Sequence, residues 1–343
     1  MSPTLERRSP RWVLPVVIGL VVLAGLAVGF WGVNLPFYAF SAGPSGDAVG
    51  SIEIQETEIF QPKGELIYLT VALQQVNAFE ALAAALDPTI DLAPEDRIRP
   101  KDQTDEDFKR KGLADMDESE RTAIAVALEE LGYQSELLGD GAEVISVVEG
   151  SGAVDKLKAG DVIVAIDRQP VQVVDDISRL LKGRTVGDRV EVGLDRSGSR
   201  ISVEIALFAA PDEITRPIIG IEAATKNLQT ETPFPIDIDT SNLGGPSAGL
   251  MYTLAIIDLL SPGDLTKGHV IAGTGTISSD RQVGAIGGIR QKLVAAAGAG
   301  AEFVFVPADN YQTALTVELS STELVKVATL DDALAFLAGL SAA

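Results

Sequence analysis

The chain has 343 residues, 46% of them hydrophobic, which is enough for two cored domains with one able to interrupt the other. Its formal net charge of −22 argues against a broad surface for nucleic acid or anionic lipid. The absence of cysteine excludes a disulfide framework, a thiol nucleophile and a zinc–thiolate site, and a single histidine, His269, excludes multi-histidine metal sites.

In chain order, the first feature is Val13 to Val33, a stretch without a charged residue. As a helix it would span about 31 Å, enough to cross a bilayer core. Arg7, Arg8 and Arg11 precede it and an acidic chain follows. Positive-inside logic then predicts a single-pass anchor, with residues 1–12 as a cytoplasmic tail and everything after Asn34 outside the cell membrane. The competing reading is a cleaved signal peptide with Ala39–Phe40–Ser41 as its small-residue site. Residues 34–50, ending in SAGPSGDAVG, read as a linker.

Within 51–132, GELIYLTVAL (64–73) alternates and is rich in strand formers. Residues 87–118 carry many charges and few large apolar groups, and predict a long exposed loop. DESERTAIAVALEELG (117–132) predicts a helix with acids in its first turn, ending at Gly132. Residues 133–208 change character: AEVISVV and DVIVAI are short strands, VDDISRLL is a helix, and RVEVGL and RISVEIAL pair across DRSGS as a hairpin. A polar connector, 209–216, leads into 217–343. There strands (FPIDIDT, HVIAGTGTI, AEFVFVP) alternate with helices over 248–260, 289–299 and 331–339, an α/β or α+β core.

The stretch LGGPSAGLMYTLAII (243–257) sets Ser247 at the N-terminus of an apolar helix. Free backbone N–H groups there suit a nucleophile with an oxyanion hole built from Gly245, Pro246 and Ser247. They equally suit a plain capping serine. A Ser–His–Asp triad would have to use His269, which sits at the entry to an apolar strand and reads as structural. The alternative base is a lysine kept neutral by burial. Lys292 fits, in the first turns of the helix that follows Gly287–Gly288 and ahead of Leu293, Val294 and a run of alanines. Arg290 and Lys267 read as surface residues beside it, and a snorkelling surface lysine remains the plain reading of Lys292 itself.

GSGAVDKLKAGDVIVAIDRQPVQVVDDISRLL resembles a bacterial PDZ domain, of the type found in exported proteases. That resemblance implies an extended peptide tail taken as an added strand, with loop amides on its carboxylate. ELGY, with Gly132 and Tyr133, stands where that loop would be; the alternative is a spacer domain without a ligand. GGPSAGL followed by GTGTISSDRQVGAIGGIRQKLVAAAGAGAEFVFVP resembles the proteolytic domain of Lon proteases, and the likeness runs through VKVATLDDALAFL. It implies Ser247 as nucleophile, Lys292 as its base and Thr274 as a hydrogen-bonding support for the lysine. GELIYLTV and MDESERTAIAVALEELG resemble the opening strand and first helix of the same domain, which would make the PDZ module an insertion. Two positions depart from the family: Gly244 and Thr276 stand where acids are frequent.

The layout resembles membrane-anchored, PDZ-containing Lon-like proteases of bacteria. The expected fold is α+β, with an N-terminal transmembrane helix and a Lon-type proteolytic domain (51–132 and 217–343) interrupted by a PDZ domain (133–208). No G-x-x-x-x-G-K-[ST] phosphate loop occurs, so the expected activity is ATP-independent serine endopeptidase, without cofactor or metal. Its expected partners are unfolded or tailed polypeptides, the membrane through one helix, and copies of itself in a ring, with no nucleic acid. The rival readings are an inactive PDZ scaffold at the membrane and a protease that processes only itself.

Overall fold

The computed structural model describes residues 15, 16, 18, 31–99, 104–210, 214–240 and 243–343. The chain opens into strand β1 (Asn34–Asp47), followed by β2 (Glu65–Asn77), helix α1 (Ala78–Leu86), strand β3 (Asp91–Pro94) and a long helix, α2 (Asp105–Glu130). β1 runs antiparallel to both β2 and β3, with Phe40 opposite Leu73 on one side and Asp91 on the other. Asn77 starts α1 with a capping box, its side chain accepting from Phe79 and Glu80 while Glu80 returns to the Asn77 N–H.

A second unit comprises β4 (Ala142–Val147), β5 (Val162–Ile166), α3 (Asp175–Leu180), β6 (Arg189–Arg196), β7 (Ser199–Ala206) and β8 (Ile221–Thr225). Its strands stand in the order β7-β6-β5-β4-β8, which leaves β8 at the edge of the sheet. Its core is separate, with Val144, Ile163, Ile166, Val192, Leu194 and Ile205 buried together.

Past this unit come α4 (Gly249–Leu260), β9 (Val270–Gly273), α5 (Ile289–Gly298), β10 (Phe303–Pro307), β11 (Glu323–Val327) and α6 (Leu330–Gly339). These strands join the first set in one sheet ordered β11-β10-β9-β2-β1-β3. β9 lies parallel to β2 and β10, with Gly273 opposite both Tyr68 and Phe305. Every residue of α4 is buried, because the helix packs between the sheet and α2. Such all-round apolarity is what a central helix requires.

Several expectations are corrected. The fold class is mixed α/β without the transmembrane helix, since among the described residues no helix is long and apolar enough to cross a membrane. Most of the 13–33 stretch lies outside the described residues, and from Asn34 onward the chain is a strand of the main sheet rather than a linker. Its glycines and small residues hid a strand whose partners are distant in sequence. The loop expected over 87–118 holds β3 and the first half of α2, where Met116 is buried against α4 and its neighbours. The smaller sheet does not end at 208 either: β8 supplies its edge, pairing Ile221 with Val147 and Thr225 with Ala142.

Candidate functional site

The turn Gly244–Gly245–Pro246–Ser247 delivers Ser247 to the N-terminus of α4. Across from it, Gly288 starts α5 at φ +66°, a conformation that strains any residue with a Cβ, and an added Cβ would also lie 2.7 Å from Val71 Cγ2. That sharp entry turns the first helical residues inward, so that Lys292 is only 2% exposed. Its Nζ donates to Ser247 Oγ at 2.7 Å and to Thr274 Oγ1 at 2.8 Å. Thr274, at the end of β9, donates its own hydroxyl to the Ser247 carbonyl at 3.0 Å, and Gly275 N–H reaches the same oxygen at 2.9 Å. Three residues from three elements thus form one connected set.

Burial alone pushes the Lys292 amine down from 10.5 to about 7. No carboxylate is among the causes of that shift, so no counter-charge offsets the desolvation of its charged form. A neutral amine at 2.7 Å from a serine hydroxyl can take the hydroxyl proton, which is the chemistry of an activated nucleophile.

The oxyanion-hole residues need correction. Pro246 has no N–H, and Gly245 gives its N–H to the Gly112 carbonyl of α2 at 2.8 Å. This leaves the N–H of Ser247 itself as the donor from that trio. Beside it lies a groove of about 710 Å³, walled by β1, β2 and the first half of α2, with Phe40, Thr70, Phe108 and Met116 in its lining.

His269 stands apart from this set. Its Nδ1 faces Glu302 Oε2 at 2.9 Å and its Nε2 meets the Ser341 carbonyl at 3.0 Å, and those contacts raise its pKa. Lys267 donates to the Ala338 and Leu340 carbonyls, closing the end of α6, and Arg290 is exposed. A Cβ added at Gly244 would lie 3.8 Å from the Gly112 backbone, and Thr276 lies on a two-residue strand against Val283–Gly284; neither supplies an acid. Among the described residues, no group of three His, Asp or Glu is placed to hold a metal.

Gly132 and Tyr133 do not line a peptide groove. Gly132, at φ +79°, and Tyr133 donate to the Glu129 and Leu128 carbonyls, closing α2, and the Tyr133 ring packs edge-on to Phe234. The groove of the smaller unit, about 610 Å³, lies instead between α3 and the 216–223 segment leading into β8. Ile177, Leu181, Ile219 and Ile221 give it an apolar floor, with Lys182 and Arg216 at its rim. Glu222 in its lining also accepts from Lys111 Nζ at 2.8 Å, and Lys111 lines the Ser247 groove. One ion pair therefore stands between the two grooves. The first half of α2, which lines the Ser247 groove, has no signal in the sequence, since its charged residues carry no apolar periodicity.

Residues 240–337 match the Lon protease (S16) C-terminal proteolytic domain. Residues 129–207 match the PDZ domain family. Among curated proteins, the chain is 37% identical over 94 residues to a Lon protease of Campylobacter concisus, covering 26% of this chain and 11% of that one. A Lon protease of Phenylobacterium zucineum is 48% identical over 66 residues, covering 19% and 8%. A probable periplasmic serine endoprotease, DegP-like, of Pseudomonas putida is 34% identical over 87 residues, covering 25% and 18%. The chain thus spans less than a fifth of the length of these relatives. It is similar over 240–337 to a Lon-type proteolytic domain and over 129–207 to a PDZ domain.

Proposed function

We propose that this chain is a serine endopeptidase that uses Ser247 and Lys292 as a dyad and cleaves polypeptides without ATP. The observation that carries the reading is the 2.7 Å contact between a buried lysine amine and the Ser247 hydroxyl at a helix N-terminus. Ser247 Oγ attacks the scissile carbonyl while neutral Lys292 takes the hydroxyl proton. The oxyanion forms against the Ser247 N–H. Collapse of the tetrahedral adduct expels the amine, which receives the proton from the Lys292 ammonium. The Lys292 amine, neutral again, then deprotonates a water that attacks the acyl ester, and its ammonium returns that proton to Ser247 Oγ as the new carboxyl terminus leaves. Thr274 holds the amine on the line between proton donor and acceptor.

The groove between α3 and β8 would take an extended tail as a strand added to the free sheet edge, with its apolar floor accepting a side chain. This supports delivery of tailed polypeptides to the Ser247 groove next to it. Fluorescein-labelled casein, incubated with the chain in the absence of ATP, tests the reading. Ser247→Ala and Lys292→Ala should each abolish nearly all cleavage, with the double variant little worse than either, because the pair acts as a unit. Full turnover in Ser247→Ala would dismiss the assignment.

A further inference from the structure

Ser119 lies on α2, upstream of the PDZ unit in sequence, and only 4% of it is exposed. A serine or threonine inside a helix ordinarily returns its hydroxyl to the carbonyl one turn back. Thr122, one turn further along α2, does so, donating to the Glu118 carbonyl at 2.9 Å. Ser119 instead donates across the domain to the Pro246 carbonyl at 3.0 Å. That same carbonyl accepts the Gly249 N–H at 3.3 Å. The approach is close: a Cβ on residue 249 would lie 2.7 Å from Ser119 Oγ, so glycine there is what lets the two helices meet.

The consequence lies in the peptide that joins Pro246 to Ser247. In a trans peptide the C=O and the N–H point in opposite directions within one plane. Holding the Pro246 oxygen toward Ser119 therefore fixes the Ser247 N–H on the opposite side. On the Gly245 side, the Gly112 carbonyl of α2 takes the Gly245 N–H at 2.8 Å, so the turn is gripped at the 244–245 peptide as well as the 246–247 peptide. Resting on the reading of Ser247 as nucleophile, we propose that Ser119 is a positioning residue for the reaction: it orients the one backbone N–H of the Gly245–Ser247 turn left to receive the oxyanion. Ser119 touches neither substrate nor the reacting atoms. Its effect passes through the peptide plane.

The test uses the full chain. Ser119→Ala removes the hydroxyl alone and places a strong helix former in the helix, so the fold is retained and is checked by urea unfolding. On fluorescein-casein, kcat should fall roughly ten- to a hundredfold with KM nearly unchanged, less than the roughly 10²–10³ lost when an oxyanion donor is deleted outright. Ser119→Cys occupies similar space with a weak S–H donor and should lose less; it also carries the measurement if the alanine variant fails to fold. A peptidyl boronic acid ending in boroleucine forms a tetrahedral adduct on the serine with an oxygen where the oxyanion would sit. Its affinity should weaken in Ser119→Ala by about the same factor as kcat, because both report the oriented N–H. Wild-type kcat in both variants overturns the proposal, as does a fall in kcat accompanied by unchanged boronate affinity. Should Ser247→Ala itself keep wild-type turnover, the nucleophile assignment falls instead, so the two failures are told apart.

Discussion

Replacing Lys292 by methionine should abolish cleavage and yet stabilise the fold at pH 6, with the advantage reversing in alkali. Burial brings the amine from 10.5 to about 7 in the folded chain, while the unfolded chain keeps the ordinary value. At 1.36 kcal/mol per tenfold, that interval corresponds to about 5 kcal/mol. The folded-state value is the lower one, so the unfolded chain holds the proton more tightly. Folded stability is therefore lost as pH falls from 10.5 to about 7, and below that the deficit is constant. With Lys292 only 2% exposed, solvent does not screen the effect. Methionine fills a similar volume without the charge, but it forfeits the bonds to Ser247 and Thr274, about 1 kcal/mol each. The sum is a variant about 3 kcal/mol more stable than wild type at pH 6 and about 2 kcal/mol less stable above pH 10.5, with the two equal near about pH 9. Urea unfolding of both proteins at pH 6, 8 and 10 measures the difference, which should change by about 1.4 kcal/mol per pH across the window between the two pKa values. Wild-type cleavage should rise with pH through about 7 over the same amine's titration. A stability difference that does not vary with pH would refute the reasoning, because it would mean the lysine keeps its proton in the fold.

Thr274→Val keeps the shape of a fully buried residue but removes the oxygen that accepts from Lys292, so it should lower the casein rate and move the pH–rate midpoint further down. Glu222→Ala severs the ion pair to Lys111 and should alter the cleavage of a substrate carrying a C-terminal tail relative to the same substrate without one; an unchanged ratio would uncouple the two grooves. Joining Asp140 directly to Asn227 should leave a folded, active domain, since Asp140 N–H already donates to the Lys226 carbonyl at 2.9 Å and Asn227 Nδ2 to Asp140 Oδ2 at 2.6 Å. Excising 134–210 instead strands β8 without its partner β4 and should give insoluble protein, as judged by yield and size-exclusion chromatography.

Residues separated by one or two turns were legible from sequence alone. Gly287–Gly288 ahead of an apolar helix announced the start of α5, and PSAG ahead of another announced α4, because local backbone constraints and hydrophobic periodicity act over a few residues. The single histidine and the missing cysteine excluded a thiol nucleophile and multi-histidine metal sites, whereas the pairing of Ser247 with Lys292 was implied by the resemblance to Lon proteolytic domains. The separation of Lys292 from Ser247, 45 residues along the chain, was closed only by the packing of α4 and α5 on the sheet, and with it came the burial that holds the amine near neutrality. Strand β1 reads as a linker in the sequence because its small residues pair with β2 and β3, and pairing depends on a neighbour rather than on composition. For the same reason Gly132 and Tyr133 fall away from the groove of the smaller unit, whose wall includes β8, past the end of the segment that resembles a PDZ domain. Gly112 and Ser119 gave no signal at all: a backbone carbonyl and a helix serine acquire their roles only when tertiary packing sets α2 against the Ser247 turn, a contact across more than a hundred residues of chain that no local pattern encodes.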